Sequence, residues 1–223
     1  MKQGVRNTVM GLGLAVLVVV GITVNKYGST LQFGLNETPP ALDKESLREQ
    51  GVVWYETPRT FVFNPLTMDK GKSFTLADLK DRWTLMYFGF TFCPDICPAT
   101  LANMAQFRKE LVALNPKVAE KVDVVMVSVD PGRDTPEKLA TYAKFFDAEF
   151  KGVTGDPANL KALTQQLNVA FEMVGDTSTP DYLVEHSAQV VLINPKGDYQ
   201  GFLRPPFKAG DLAKAMVTIN QSF

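Results

Sequence analysis

From Thr8 to Val24 no position carries a charge, and Val, Leu and Gly dominate. Beyond that stretch, polar and apolar residues interleave with the shorter periods of globular structure. Trp83–Phe90 is a continuous apolar run rich in aromatics, and 122–129 is a second. Such runs predict central strands buried on both faces. Between them, Leu101, Met104, Ala105, Phe107, Leu111 and Val112 recur at helical spacing and predict a helix over 98–113. Further helices are expected at 135–146, where Thr135-Pro136-Glu137 opens with Pro at the first helical position, at 157–167 behind an Asp156 cap, and at 208–220. Residues 60–63 read as a short β run, 73–80 as a short helix, and 169–174 as a strand. Residues 189–193 and 199–203, joined by the turn 194–198, read as a β-hairpin. The order β–α–β–α, then α, a β-hairpin and α, predicts an α/β sandwich around a mixed sheet, with parallel strands joined by crossovers.

The uncharged stretch of residues 8–24 is at the lower limit for a membrane-spanning helix, with Tyr27 placed for the interface. Lys2 and Arg6 precede it, so the positive-inside rule keeps the N-terminus in the cytoplasm and exports the body. A cleaved signal peptide is the competing reading, but the stretch exceeds the usual apolar length and no A-x-A site follows. The expected organisation is an anchor over 1–27, a linker over 28–58 and one domain over 59–223. Gly28, Ser29, Gly34, Asn36, Pro39 and Pro40 punctuate the linker.

The 223 residues are 45% hydrophobic, which excludes wholesale disorder. Net charge is -1. The first 30 residues carry +3, from Lys2, Arg6 and Lys26, and the remaining body is mildly acidic. No basic surplus exists to neutralise a phosphate backbone, so nucleic acid is not an expected partner.

Two cysteines and one histidine narrow the chemistry. A four-Cys zinc site and a multi-His site are excluded. Cys93 and Cys97 follow the apolar run 83–90, at the carboxyl end of a strand, where sheets of this class place binding groups. Pro98 is expected at the first helical position, with Cys97 near the cap. Both sulfurs would then lie near the positive end of a helix dipole, which favours thiolate. A structural disulfide is the bland alternative, but a loop this short has little chain entropy to restrict. His186 precedes the strand 189–193, which could run beside the strand carrying the cysteines. Two thiolates and one imidazole suit copper in either redox state, whereas zinc would want a fourth ligand.

Three segments carry a specific resemblance. Cys93-Pro94-Asp95-Ile96-Cys97-Pro98, then Val127 to Pro136 with Asp130 and Asp134, then Asp181-Tyr182-Leu183-Val184-Glu185-His186-Ser187 resemble the Sco/SenC family over roughly residues 55–220. The family consists of membrane-anchored copper proteins that assemble the CuA centre of cytochrome c oxidase. The resemblance implies a thioredoxin-like mixed sheet flanked by helices, with a β-hairpin insertion for which 64–73 and 180–188 are candidates. It implies copper, as Cu(I) or Cu(II), held by Cys93, Cys97 and His186. Glu185 stands where the family often has Asp. The implied partners are oxidase subunit II, other copper chaperones or thiol–disulfide proteins, and the membrane. The implied place is the bacterial inner membrane, single-pass, with the domain in the periplasm.

Two functions follow as expectations: a copper chaperone for subunit II, or a thiol–disulfide reductase that keeps the CuA cysteines reduced through the Cys93–Cys97 pair. A peroxiredoxin-like peroxidase and a tethered interaction domain are weaker readings. Asp130 and Asp134 read foremost as turn and cap residues. Met104, Met126 and Met173 read as core.

Overall fold

The structure, a computed structural model, describes residues 42–179 and 182–223. A six-stranded mixed sheet organises them, in the order β1-β10-β9-β4-β5-β6. Its centre is β4 (Trp83–Gly89) and β5 (Val122–Ser128), every residue of which is buried. These are the two apolar runs of the sequence, and they pair in parallel from Trp83 opposite Val122 to Gly89 opposite Ser128. Parallel pairing requires a crossover. It is supplied by α2 (Ile96–Leu114) and the single turn α3 (Pro116–Ala119). A second crossover, α4 (Pro136–Phe146), leads to β6 (Lys151–Val153), parallel to β5 and too short to stand out in the sequence. Thr135 caps α4 with its side chain and Pro136 follows it, as its sequence predicts. Asp156 likewise caps α5 (Pro157–Gln166).

The hairpin β9 (Val190–Ile193) and β10 (Tyr199–Leu203) closes the other half, with β9 antiparallel to β4. The terminal helix α6 (Ala209–Ser222) packs beside α2 and buries Leu212, Ala213, Ala215, Met216 and Ile219. Asp123 is the one carboxylate inside β5, and it is gripped by Arg82 at 2.7 and 2.9 Å and by Lys151 at 2.7 Å. Burial alone would push its carboxyl up, but Arg82 and Lys151 hold it below its ordinary range.

Several expectations need correction. The stretch 28–58 is not a linker throughout. Lys44–Glu49 forms α1, capped by Asp43, and Val52–Arg59 forms β1, the sheet edge antiparallel to β10. Leu47 and Val52 are buried, so this segment belongs to the domain. No strand forms at 60–63, where the Val62 N–H and carbonyl pair with the Gln166 side-chain amide at 3.0 and 2.9 Å instead of with a neighbouring strand. Residues 73–80 are not one helix. Ser73–Phe74 is β3, paired with β2 (Leu66–Thr67), and Leu76–Leu79 is a 3₁₀ turn with a Thr75–Asp78 capping box. Met104 and Met126 are core as expected, but Met173 is 37% exposed.

The candidate 64–73 is a hairpin, whereas 180–188 supplies one strand of a hairpin that begins earlier, at Phe171. The first is β2–β3. The other pairs β7 (Phe171–Val174) with β8 (Leu183–His186) as a separate two-stranded ribbon. Among the described residues no helix is long and apolar enough to cross a membrane. The proposed anchor, and the linker up to residue 41, lie outside the described residues.

Candidate metal centre

β4 delivers its chain to the site at Gly89. A Cβ there would stand 2.9 Å from Cys97 Sγ and 2.9 Å from Tyr87 Cε1, so this position excludes a side chain. The chain then turns through Phe90, Thr91 and Phe92 into α2. The helix begins at Ile96, earlier than predicted, with Asp95 at the cap position, and Pro98 falls in the first turn instead of at its first residue. Proline is tolerated there because first-turn N–H groups have no intrahelical partner. The Cys97 N–H donates to Cys93 Sγ at 3.4 Å. Both cysteines are free thiols.

The expectation of a favoured thiolate fails for Cys97. Burial pushes its thiol up to about 12, and the neighbouring Cys93 adds to the effect. The helix terminus does not outweigh the loss of solvent.

His186 ends β8 and brings Nε2 to 3.2 Å from Cys97 Sγ. Its Nδ1 lies 3.1 Å from the Ser187 carbonyl oxygen. A carbonyl only accepts, so Nδ1 carries the proton and Nε2 turns its lone pair to the thiols. Glu185, considered as an orienting group, is exposed and faces Glu172 across the ribbon instead. Tyr87 and Phe90 flank the imidazole edge-on, each with its ring centre 5.9 Å away. Burial holds the imidazole below its ordinary 6.5, although the Ser187 contact opposes this. The ligand atoms of Cys93, Cys97 and His186 all lie within 4.8 Å of one another, the one such cluster among the described residues. Two sulfurs and a neutral imidazole nitrogen match the donor preference of copper.

The loop after β5 forms a buried polar bracket around this cluster. Asp134 accepts from the Thr91 N–H at 2.9 Å, from the Thr91 hydroxyl, and from the Ser128 hydroxyl at 2.7 Å. It therefore fixes the cysteine loop and does not cap α4, which Thr135 does. Asp130 keeps its turn role, its carbonyl accepting from the Arg133 and Asp134 N–H groups. Its carboxylate, however, is fully buried against Arg133 and the Tyr182 hydroxyl. Sequence reasoning overlooked Gly89, Thr91, Arg133 and Tyr182. The last two stand inside the motifs that carry the resemblance, which was the available signal. Beside the cysteine loop an open groove of about 650 Å³ lies between Phe92 and the α4 residues Tyr142 and Phe145.

The SCO1/SenC family profile matches residues 60–221. A putative copper-binding protein of Stutzerimonas stutzeri is 34% identical over 180 residues, covering 80% of this chain and 86% of its own. The human mitochondrial SCO1 homolog is 31% identical over 69% of this chain, which spans 50% of that relative's length. The chain spans 62% of the SCO2-like protein of Rickettsia felis. Among solved structures, copper-bound Arabidopsis thaliana ScoI aligns with a TM-score of 0.64 at 32% identity, covering 72% of this chain and 99% of that one. Copper-bound yeast Sco1 gives 0.65 at 27% identity, covering 74% and 91%. The thioredoxin-like mixed α/β fold of these proteins is the fold described above.

Proposed function

The chain belongs to the SCO1/SenC family, and from that premise we propose that it is a copper carrier which loads the CuA site of cytochrome c oxidase subunit II. The observation that carries this reading is the convergence of Cys93, Cys97 and His186 at one end of the sheet. Thiolate sulfur holds Cu(I), and the imidazole extends the set to Cu(II), which favours nitrogen as well.

The residues divide the work. Nε2 of His186 is already free of its proton. Cys97 holds its proton until a cation displaces it, so loading releases a proton and tightens as pH rises. Gly89 lets Cys97 lie directly over the end of β4, and the Tyr87 and Phe90 rings flank the imidazole edge-on. Cys93 lies toward the open side of the cluster, 9% exposed where Cys97 is 0%, and is the donor an incoming ligand reaches first. The groove beside Phe92 offers the recipient a place to rest during exchange.

A reductase reading is favoured by the same division. The Cys93 thiolate, receiving the Cys97 N–H, would attack a disulfide of the target and release one target thiolate. Cys97, giving up its proton to the released target thiolate, would then attack the Cys93 sulfur of the mixed disulfide and release the second. The target gains two electrons and the pair becomes a Cys93–Cys97 disulfide.

We further propose that residues 8–24 anchor the chain in the bacterial inner membrane with the domain in the periplasm, on the strength of the uncharged stretch behind Lys2 and Arg6. N-terminal sequencing of membrane-extracted protein tests this, and a mature start beyond about residue 25 refutes it.

The test of the carrier is copper stoichiometry and charge-transfer absorption of the domain as Cys93→Ser, Cys97→Ser and His186→Ala. Wild-type copper and spectrum in all three would discard the site. Oxidase assembly in a deletion strain then separates the functions. His186→Ala should block assembly but leave disulfide exchange on a test substrate intact. Full assembly with that variant at low copper would promote the reductase.

A further inference from the structure

His186 sits on a ribbon, β7–β8, that pairs with no strand of the main sheet. Much of the ribbon is exposed: Leu183 is 64% exposed, Val174 43% and Met173 37%. An isolated two-stranded hairpin is marginally stable in water. Something outside it must hold the imidazole at 3.2 Å from Cys97. Val184, 7% exposed, supplies apolar burial, but burial is non-directional and does not set a distance.

Directional contacts converge at Tyr182, the residue before β8. Arg133 donates from Nη1 to the Tyr182 carbonyl oxygen at 2.9 Å. Its guanidinium carbon lies 3.6 Å from the centre of the Tyr182 ring. The same guanidinium lies 5.6 Å from the Phe90 ring and 5.0 Å from the Phe92 ring, which belong to the cysteine loop. Asp130 accepts from Arg133 Nε at 2.5 Å and from the Tyr182 hydroxyl, tying both to the loop after β5. The Arg133 side chain is only 11% exposed. A planar guanidinium meets a carboxylate, a carbonyl and three ring faces at once, and a lysine ammonium has no such geometry.

We propose that Arg133 is a positioning residue that clasps the histidine ribbon to the cysteine loop and so sets where His186 meets the thiols. This rests on the reading of His186 as a copper ligand only for its consequence, not for its geometry. Groups that orient a ligand change metal affinity by about 10- to 100-fold when removed. Loss of the clasp should cost Cu(II) affinity on that scale while Cu(I) binding, carried by the two sulfurs, falls less.

The experiment compares wild type with Arg133→Met, Arg133→Lys and Tyr182→Leu. Met keeps much of the aliphatic stem, Lys keeps the charge without the fork, and Tyr182→Leu removes the ring and the hydroxyl that donates to Asp130 while leaving the Arg133–Asp130 pair in place. The first readout needs no metal: nuclear Overhauser contacts from the His186 ring to the Tyr87 and Phe90 rings in the metal-free domain. The second is the Cu(II) absorption spectrum and affinity. The clasp predicts weakened or lost ring contacts in all three variants, with Cu(II) spectra moving toward that of His186→Ala. Should Arg133→Met fail to fold, Tyr182→Leu decides by the same two readouts. Undiminished ring contacts in Tyr182→Leu, and in each Arg133 variant that folds, overturn the proposal whatever the copper spectra show. Lost contacts together with a wild-type Cu(II) spectrum in His186→Ala support the clasp and overturn the ligand reading instead.

Discussion

Cys97 and His186 approach within 3.2 Å, but they arrive from unlike parts of the molecule. Cys97 is fully buried in a helix whose inner face, Leu101, Met104, Phe107 and Leu111, continues the main core. His186 ends a ribbon with several exposed apolar residues and only its own internal pairing. The thiol end is held by close packing, which responds to any change of volume. The imidazole end is held by side-chain contacts at its margin, which respond to the loss of a polar partner. The same contrast appears in their protons. Burial holds Cys97 neutral up to about 12 and holds His186 neutral below 6.5, so the metal-free centre carries no charge from either.

The sharpest way to break this comparison is to remove one donor from each side. Cys97→Ser is expected to abolish binding of both copper states, while His186→Ala loses Cu(II) and retains much of the Cu(I). Titration with each ion under matched conditions reads the difference, and equal losses would mean that the two regions contribute alike.

The packing of the thiol end is tested next by Gly89→Ala. The added methyl meets the Cys97 sulfur and the Tyr87 ring, and overpacking of this kind costs about 1–3 kcal/mol. Urea unfolding should show that loss together with weakened copper binding. A neutral result would mean that Cys97 can move aside freely, against the close-packed description.

On the ribbon, Leu183→Ser should change stability by less than about 0.5 kcal/mol, as expected for a surface position away from special features. A larger loss by the same unfolding measurement would assign Leu183 an unseen packing partner.

A further contrast concerns pH. The folded protein holds His186 below 6.5, so the unfolded chain takes up that proton first. Stability of the metal-free domain should fall as pH drops from 6.5 through the lowered folded value. Cys97 acts at the other side. Its folded value lies above the ordinary 9.0, so its contribution is complete below 9.0 and is lost as pH rises toward about 12. His186→Gln should flatten the acid limb and Cys97→Ala the alkaline one. Unchanged limbs in both variants would mean that neither group titrates differently on folding.

The patterns in the sequence were enough for the central strands, because a strand buried on both faces must be apolar throughout. They were enough for the helix caps at Thr135 and Asp156, because capping is a contact between near neighbours. The donor types were also legible, since only two thiols and one imidazole exist in the chain. The misread parts were those whose outcome depends on distant partners. β1 lay hidden in a stretch rich in turn residues because an edge strand needs only β10 beside it. The protonation of Cys97 was misjudged because dipole direction is local, whereas desolvation is the work of the whole core. Asp130 and Asp134 looked like turn and cap residues because their other partners, Tyr182 and Thr91, stand 52 and 43 positions away. The sequence by itself determined which strands form the centre and which atoms can bind metal. The tertiary structure alone decided where those atoms meet, since that distance is set by contacts between segments that share no local pattern.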